Sequence, residues 1–258
     1  MNERLEPQAS VRSVERTLDL LMALEQAGHP ERLIDLAGAT GLHKATAQRL
    51  LLVLERRGLV DKDSGRYRVG LAMVPLAHAF FLENDLAKAA LPVLQELAVA
   101  TQETVSIFVR LGFSRIVVQR VEGKHPLRYV MPIGQRLPLH LGAGKVLAAS
   151  MPEEELHQML DQLGEIRLVT GELWPREAFL AHLRQIREEG FAVSINERTL
   201  GVASVTAPIL RPDGTTTAAL AIVGPAESVT RERMPQFSVE VRRAAQTIME
   251  MCRGLERS

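Results

Sequence analysis

Gly142-Ala143-Gly144-Lys145 is the stretch of this chain that most invites a chemical reading. Glycines ahead of a lysine can bare backbone N–H groups to a phosphate, but a phosphate-binding loop of that kind needs glycine at position 139 and Ser or Thr at 146. Leu139 and Val146 stand there, so neither the loop nor a magnesium-binding hydroxyl is present. What the glycines do offer is the opening of a helix with no bulky side chain over its N–H groups, a place that holds a carboxylate or phosphate without a cation. Other chemistries lack their residues. There is no G-x-S-x-G elbow and no HExxH pair. Glu153, Glu154 and Glu155 follow Pro152 in the first turn of a helix, where negative charge suits the macrodipole. The seven histidines share no ligand spacing, and the single cysteine, Cys252, leaves no internal disulfide and no CxxC zinc pair. No catalytic residue, metal or cofactor is expected.

A second group of capable residues lies earlier. Between His43 and Arg68 stand the seven cations Lys44, Arg49, Arg56, Arg57, Lys62, Arg66 and Arg68, against the three acids Glu55, Asp61 and Asp63. Lys44, Thr46, Gln48 and Arg49 crowd the first turns of a helix, opposite its leucines. That is where a recognition helix meets DNA: Gln pairs bidentately with adenine, Arg with guanine, and cations neutralise phosphates. Arg66 and Arg68 share one face of a strand and can touch the flanking backbone or minor groove. Basic residues on an exposed helix face can also serve solubility alone, so the elements around them decide.

Those elements are legible. Val14, Leu18, Leu21, Met22 and Ala23 recur at helical spacing, with Ser13 as N-cap and Gly28-His29-Pro30 as the stop. A short second helix carries Ile34, Leu36 and Ala37. Gly41 makes the turn, and a third helix from about Lys44 buries Leu50, Leu51, Val53 and Leu54 before Gly58. Leu59–Lys62 and Arg66–Val69 flank Asp63-Ser64-Gly65 as a β-hairpin. Three helices and a hairpin make a winged helix-turn-helix. Two apolar helices follow, 71–83 and 85–100, with Pro92 marking a bend or fresh start in the second. Either one reads equally as a dimerising or signal-carrying linker or as a packed core helix. Beyond Thr104, strands at 105–109, 116–119, 127–132, 191–195, 204–210 and 217–223 alternate with helices at 144–149, 152–163, 175–189 and 230–252, and Arg211-Pro212-Asp213-Gly214 makes a hairpin turn. That pattern describes an α+β domain. The expected division is 1–72 for the winged helix, 73–84 for a linker helix and 85–258 for the α+β domain.

Composition sets the frame. At 258 residues the chain accommodates two domains, and 46% hydrophobic with 24% charged residues describes a globular protein with a real core. The formal net charge is zero, so any basic footprint is local rather than chain-wide. The first ten residues carry acids and a proline instead of a signal-peptide core. Leu71–Leu82, interrupted by Pro75 and His78, falls short of the roughly 20 residues a membrane span needs. A soluble, cytoplasmic protein without membrane partners is expected.

Over nearly its full length the chain resembles the isocitrate-lyase-regulator (IclR) family of bacterial transcription regulators. Ser13–Leu20 resembles the opening helix, Gly41–Leu51 the turn and recognition helix, and Gly65–Gly70 the wing. Gly134–His140, Gly142–Lys145, Gly201-Val202 leading to Ala207-Pro208, and Gly224-Pro225 then fall in family order. The resemblance implies a GAF-like sensory fold for the second domain, an operator of double-stranded DNA, a small organic-acid effector, and a homodimer or tetramer. It also implies an effector pocket lined by Tyr129, Leu137, Gly142, Ala143, Gly144, Ser194, Val202, Ser204, Ala221 and Val223. Relatives that bind small polar oxoacids carry an acid and two serines where this chain has Ser194, Ala221 and Val223. The apolar replacements imply a larger or less polar effector, such as an aromatic carboxylate, or else plain core positions of a sheet. His43 and Ala45 depart from the commoner proline and serine, which bears on which operator is read.

The function implied is a DNA-binding regulator, more in keeping with a repressor, whose effector shifts DNA affinity by linkage between two sites. A sensor acting through a protein partner, or a small-molecule enzyme, are the alternatives. The first requires the cations of 43–68 to be idle, and the second a nucleophile–base pair that the chain lacks.

Overall fold

The computed structural model describes residues 12–124 and 131–255. The chain divides into two compact units between Glu83 and Asn84.

The first unit contains α1 (Arg12–Ala27), β1 (Glu31–Arg32), α2 (Leu33–Ala39), α3 (Lys44–Arg56), β2 (Val60–Asp63), β3 (Arg66–Val69) and α4 (Met73–Glu83). Leu20 and Leu24 from α1, Leu36 and Ala37 from α2, Ala47, Leu51 and Leu54 from α3, and Val60 and Tyr67 from the hairpin close one small core. The i, i+4 and i+7 spacing of the α3 residues puts them on one stripe. Gly41 sits at φ +64° between α2 and α3, a left-handed conformation that costs other residues energy. The wing turns on Ser64 and Gly65, at φ 50° and 79°, with Asp63 opposite Arg66. Both turn residues at positive φ match the right-handed twist of the strands.

Several expectations need correction here. The inward stripe of α1 is Leu20–Leu24, while Val14, Leu18 and Met22 form a second stripe that is about half exposed (53%, 51% and 49%). Helical spacing alone does not say which of two apolar stripes faces the core. Ser13 lies inside α1, and Thr17 Oγ1 donates to its carbonyl. Val53 and Ile34 are exposed. The two-residue β1 was not foreseen; it pairs with β3 and makes the wing a three-stranded sheet in the order β1-β3-β2. The expected linker helix is α4, which falls in the first unit and buries none of its residues; Val74, Leu76, Phe80 and Leu82 are all exposed.

The second unit opens with α5 (Asp85–Thr101), whose start is capped by Asn84 Oδ1 accepting the Ala87 N–H at 2.9 Å. Pro92 is accommodated inside this one continuous helix, so no fresh start occurs there. Then come β4 (Thr104–Leu111), β5 (Ser114–Val121), β6 (Arg136–Pro138), α6 (Gly144–Ala149), α7 (Glu153–Leu163), β7 (Ile166–Arg167), β8 (Leu173–Trp174), α8 (Arg176–Glu189), β9 (Ala192–Ile195), β10 (Val202–Leu210), β11 (Thr216–Pro225) and α9 (Met234–Leu255). Six strands form an antiparallel sheet in the order β6-β5-β4-β11-β10-β9, and β7 and β8 form a separate small hairpin. Of the expected strand at 127–132, residues 125–130 lie outside the described residues and Met131-Pro132 is not strand. The last helix begins at Met234, because Thr230–Arg233 are spent on a turn.

Alternation along the strands sorts the unit into three layers. Ala218, Leu220 and Ile222 of β11 join Leu94 and Leu97 of α5 and Phe237, Val241 and Ile248 of α9 on one side of the sheet. Ala219, Ala221 and Val223 join Phe108, Leu139, Val146, Leu147, Leu160, Phe179 and Leu183 on the other, under α6, α7 and α8. The candidate pocket of this unit opens on that second side.

Candidate functional site

In the first unit, α3 exposes Lys44, Gln48 and Arg49 and half-buries Thr46. Neither Lys44 nor Arg49 has an ion-pair partner among the described residues. Tyr67 of β3 points into the core, so Arg66 and Arg68 on either side of it point out. Arg66 is braced by the Pro30 carbonyl at 3.2 Å, and Arg68 stands 3.8 Å from Asp61. An exposed salt bridge of that length is weak and yields readily to a phosphate.

In the second unit, Phe108, Arg115, Met131, Gly142, Ala143, Ser194, Glu197, Arg198, Thr199, Val202, Ala203, Ser204 and Val223 surround one pocket. Its cavity volume is about 40 Å³. Of the residues expected there, Gly142, Ala143, Ser194, Val202, Ser204 and Val223 are brought together. Leu137 and Ala221 are packed in the neighbouring core and Gly144 is buried behind the loop; none of these three lines the pocket. Tyr129 lies outside the described residues.

The charged lining was not foreseen. Glu197, in the turn after β9, accepts the Gly142 N–H at 2.8 Å on Oε2 and Lys145 Nζ on Oε1. Lys145 is fully buried; it also donates to the Val193 carbonyl at 2.8 Å, meets His182 Nε2 at 3.2 Å, and stands over the Trp174 ring at 5.2 Å. Burial pushes the Lys145 pKa down while Glu197 pulls it up. The loop N–H expected to be open to a ligand anion is therefore already bound by a carboxylate of the chain itself. The six-residue α6 adds little dipole of its own.

Arg115, on β5, is 2% exposed and shares the inward parity of Val117. Its Nη1 donates to the carbonyls of Pro138 and Leu141, and its guanidinium lies 5.1 Å from the Phe108 ring centre. Its Nε is buried without an acceptor among the described residues. Burial first, and then the charge of Arg198, lowers its pKa to about 9, so it remains a cation at neutral pH. Beside it, His140 is pushed down to about 4, by burial and then by Arg115. Gly144 is required here: a Cβ would stand 2.2 Å from the Leu139 carbonyl oxygen and 2.5 Å from Arg115 Nη1. A sequence signal did exist, in a lone arginine at an inward-facing step of the apolar run Ile116-Val117-Val118. On the same side of the sheet, the hydroxyls of Ser106 and Thr206 flank Ala221 and are also buried without partners among the described residues. Such groups are uncommon in folded proteins.

A winged helix with a cationic face, carried on the same chain as an α+β unit with a small charged pocket, defines a DNA-binding transcription regulator. The chain belongs to the IclR family. Residues 13–64 match the IclR helix-turn-helix domain and residues 78–250 match the bacterial transcriptional regulator IclR C-terminal domain. It is 32% identical over 244 residues to the HTH-type transcriptional repressor AllR of Salmonella typhimurium, covering 93% of this chain and 90% of that one. The Escherichia coli AllR is 31% identical over the same span. The fold matches an IclR-type regulator from Alicyclobacillus acidocaldarius (TM-score 0.80, 23% identity, 95% of this chain and all of that one). It also matches an IclR homolog from Microbacterium hydrocarbonoxydans complexed with 4-hydroxybenzoate (TM-score 0.72, 20% identity, 94% and 99%). Among the described residues no helix is long and apolar enough to cross a membrane.

Proposed function

We propose that the protein is a cytoplasmic, non-enzymatic repressor that grips a two-fold operator as a homodimer or tetramer, and that a small organic acid in the pocket changes that grip. The observation that carries the DNA half is the exposed face of α3, where Lys44, Gln48 and Arg49 stand without carboxylate partners among the described residues, beside a wing presenting Arg66 and Arg68. In this reading Gln48 and Arg49 meet base edges, with Thr46 beside them, and Lys44 and the wing arginines hold phosphates. The name of AllR supports repression over activation. The relative holding 4-hydroxybenzoate supports an organic acid as effector.

Self-association is supported by two exposed apolar surfaces in the first unit, Val14, Leu18 and Met22 on α1 and Val74, Leu76, Phe80 and Leu82 on α4. Patches of this kind mark interfaces, and a two-fold operator needs two winged helices at fixed spacing. An effector with unequal affinity for two spacings then shifts DNA binding; about 1–3 kcal/mol of coupling suffices for a 5- to 150-fold change.

The test is fluorescence anisotropy of the protein on DNA upstream of its own gene, titrated with salt and with a panel of organic acids. Tight, salt-steep binding that one acid loosens or strengthens is the expected result. Affinity no better than for random DNA would overturn the operator reading. An acid that binds tightly yet leaves operator affinity unaltered would overturn the coupling.

A further inference from the structure

The loop at 142–145, the expected holder of an anion, has little left to give. The Gly142 N–H goes to Glu197. The Gly144 N–H donates to the Leu141 carbonyl and the Lys145 N–H to the Gly142 carbonyl, each at 3.2 Å. An incoming acid therefore finds a carboxylate where an open N–H was expected.

Arg115, in the lining of the same pocket, is in the opposite condition. It is 2% exposed, yet burial lowers its pKa only to about 9, so it stays a cation at neutral pH. Nη1 alone serves the carbonyls of Pro138 and Leu141, while Nε and Nη2 donate to no acceptor among the described residues. Glu197, the one acid among the described residues whose charge bears on Arg115, is held by Lys145 and the Gly142 N–H.

The two unused donors form one edge of the guanidinium plane. With that same edge Arg32 holds both oxygens of Asp35, Nε at 2.7 Å and Nη2 at 3.0 Å. Parallel donors matched to two carboxylate oxygens add geometric selectivity to charge. At Arg115 the edge borders the pocket: a Cβ at Gly142 would stand 3.3 Å from Nη2, and the glycine leaves that space clear. The Phe108 ring, centred 5.1 Å from the guanidinium, backs the plane. Unused donors on a buried cation are costly, and a ligand carboxylate would meet both at once.

We propose that Arg115 is the specificity-determining residue of the pocket, its Nε–Nη2 edge taking the carboxylate of the effector side-on. The pocket then binds carboxylate anions through strand β5 rather than through the loop, and turns away their neutral analogues. This rests on reading the second unit as the effector-binding one.

The experiment is calorimetric titration of the full-length protein at neutral pH and fixed ionic strength. Acetate, propionate, butyrate and benzoate are each titrated beside their own amide, and inorganic phosphate alongside. At least one acid should bind about tenfold or more tightly than its amide, since a charged hydrogen-bonded pair is worth that much. Arg115→Gln should bring that ratio close to one; acid and amide have nearly the same shape, so mere loosening of the fold would leave the ratio alone. Arg115→Lys keeps the charge without the fork, and should keep the preference at lower affinity. Should neither variant fold, a crystal structure of the parent protein with the tightest of these acids decides. A carboxylate on Nε and Nη2 supports the proposal, and one on the 142–145 loop overturns it. A ratio near one in the parent protein overturns it too, as does a ratio that survives Arg115→Gln, phosphate bound as tightly as the best acid, or no binding of any acid. The regulatory reading is scored separately, by operator anisotropy in the same samples. An acid held by Arg115 that leaves operator affinity unaltered would sink the coupling and leave the role of Arg115 standing. Operator affinity that shifts with an acid indifferent to Arg115→Gln would do the reverse.

Discussion

Glu197 closes on Lys145 with one carboxylate oxygen and on the backbone of Gly142 with the other, so a turn after β9 fixes the start of α6 from a sequence distance of more than fifty residues. Both side chains are buried (8% and 1% exposed), and each is the other's only ion-pair partner among the described residues. Removing one member strands the other. Glu197→Gln should therefore destabilise the second unit by about 3–5 kcal/mol, as breaking a buried pair does. Replacing both, with Lys145→Met and Glu197→Leu, should cost clearly less than the single change. Chemical denaturation of the two variants beside the parent protein measures this; equal losses for single and double replacement would mean the pair is not coupled.

The recognition helix gives a prediction independent of the pocket. Arg49→Ala should weaken operator binding by about 1–3 kcal/mol and relax sequence preference at one position, with ligand affinity unchanged. Lys44→Ala should weaken operator and random DNA alike and make the salt dependence shallower. Gel-shift titrations at several salt concentrations separate the two signatures.

Phe80→Asp on α4 should shift the protein toward monomer, because it places a charge in an apolar surface whose helix buries no residue in the single chain. Sedimentation velocity reads the change directly. An unaltered oligomer would move the interface elsewhere.

His140 makes stability depend on pH in a definite direction. Once unfolded, its imidazole takes up a proton below its ordinary value of 6.5; in the folded protein it does so only below about 4. Between these values the unfolded state holds more protons, so stability is full above about 6.5 and declines as pH falls toward 4. Thermal melts from pH 7.5 to 4 should show that decline, and His140→Asn should flatten it.

Gly144→Ala tests how closely the loop is built. The added Cβ would meet the Leu139 carbonyl oxygen at 2.2 Å, which is backbone and cannot swing aside. A loss of about 1–3 kcal/mol is expected, typical of overpacking. Ala143→Gly, one residue earlier at an ordinary helical φ of −59°, should cost less.

Local pattern carried most of the fold. The wing, the turn at Gly41, the helices of the second unit and its strands β4, β5, β9, β10 and β11 follow from periodicity and turn residues, because those features are written within a few residues of each other; the short β6, β7 and β8 carry no such pattern and are absent from the sequence reading. Orientation was harder. In α1 the stripe Val14–Leu18–Met22 is as regular as Leu20–Leu24, and only the positions of α2 and α3 decide which is inside. The pocket divides the same way. Gly142, Ala143, Ser194, Val202, Ser204 and Val223 came through resemblance to the family. Arg115 and Glu197 did not, because their roles depend on what faces them across the sheet: Glu197 reads as an ordinary turn acid until Lys145 and Gly142 are placed against it. Ala221, expected at the ligand, packs in the core next to the pocket, one same-face step along the strand from Val223, which does line it.

The buried guanidinium of Arg115 has a consequence for how much of this regulator a cell contains. A folded chain must enclose that charge whether or not an anion meets it, and its Nε finds no acceptor among the described residues. An acid that pairs with it favours the folded over the unfolded chain by mass action, and proteases remove the unfolded chain. Such an acid would act as a folding aid as well as a signal. Steady-state abundance of the sensor should then rise with the compound it senses, and the response would depend on how long the acid has been present as well as on its concentration.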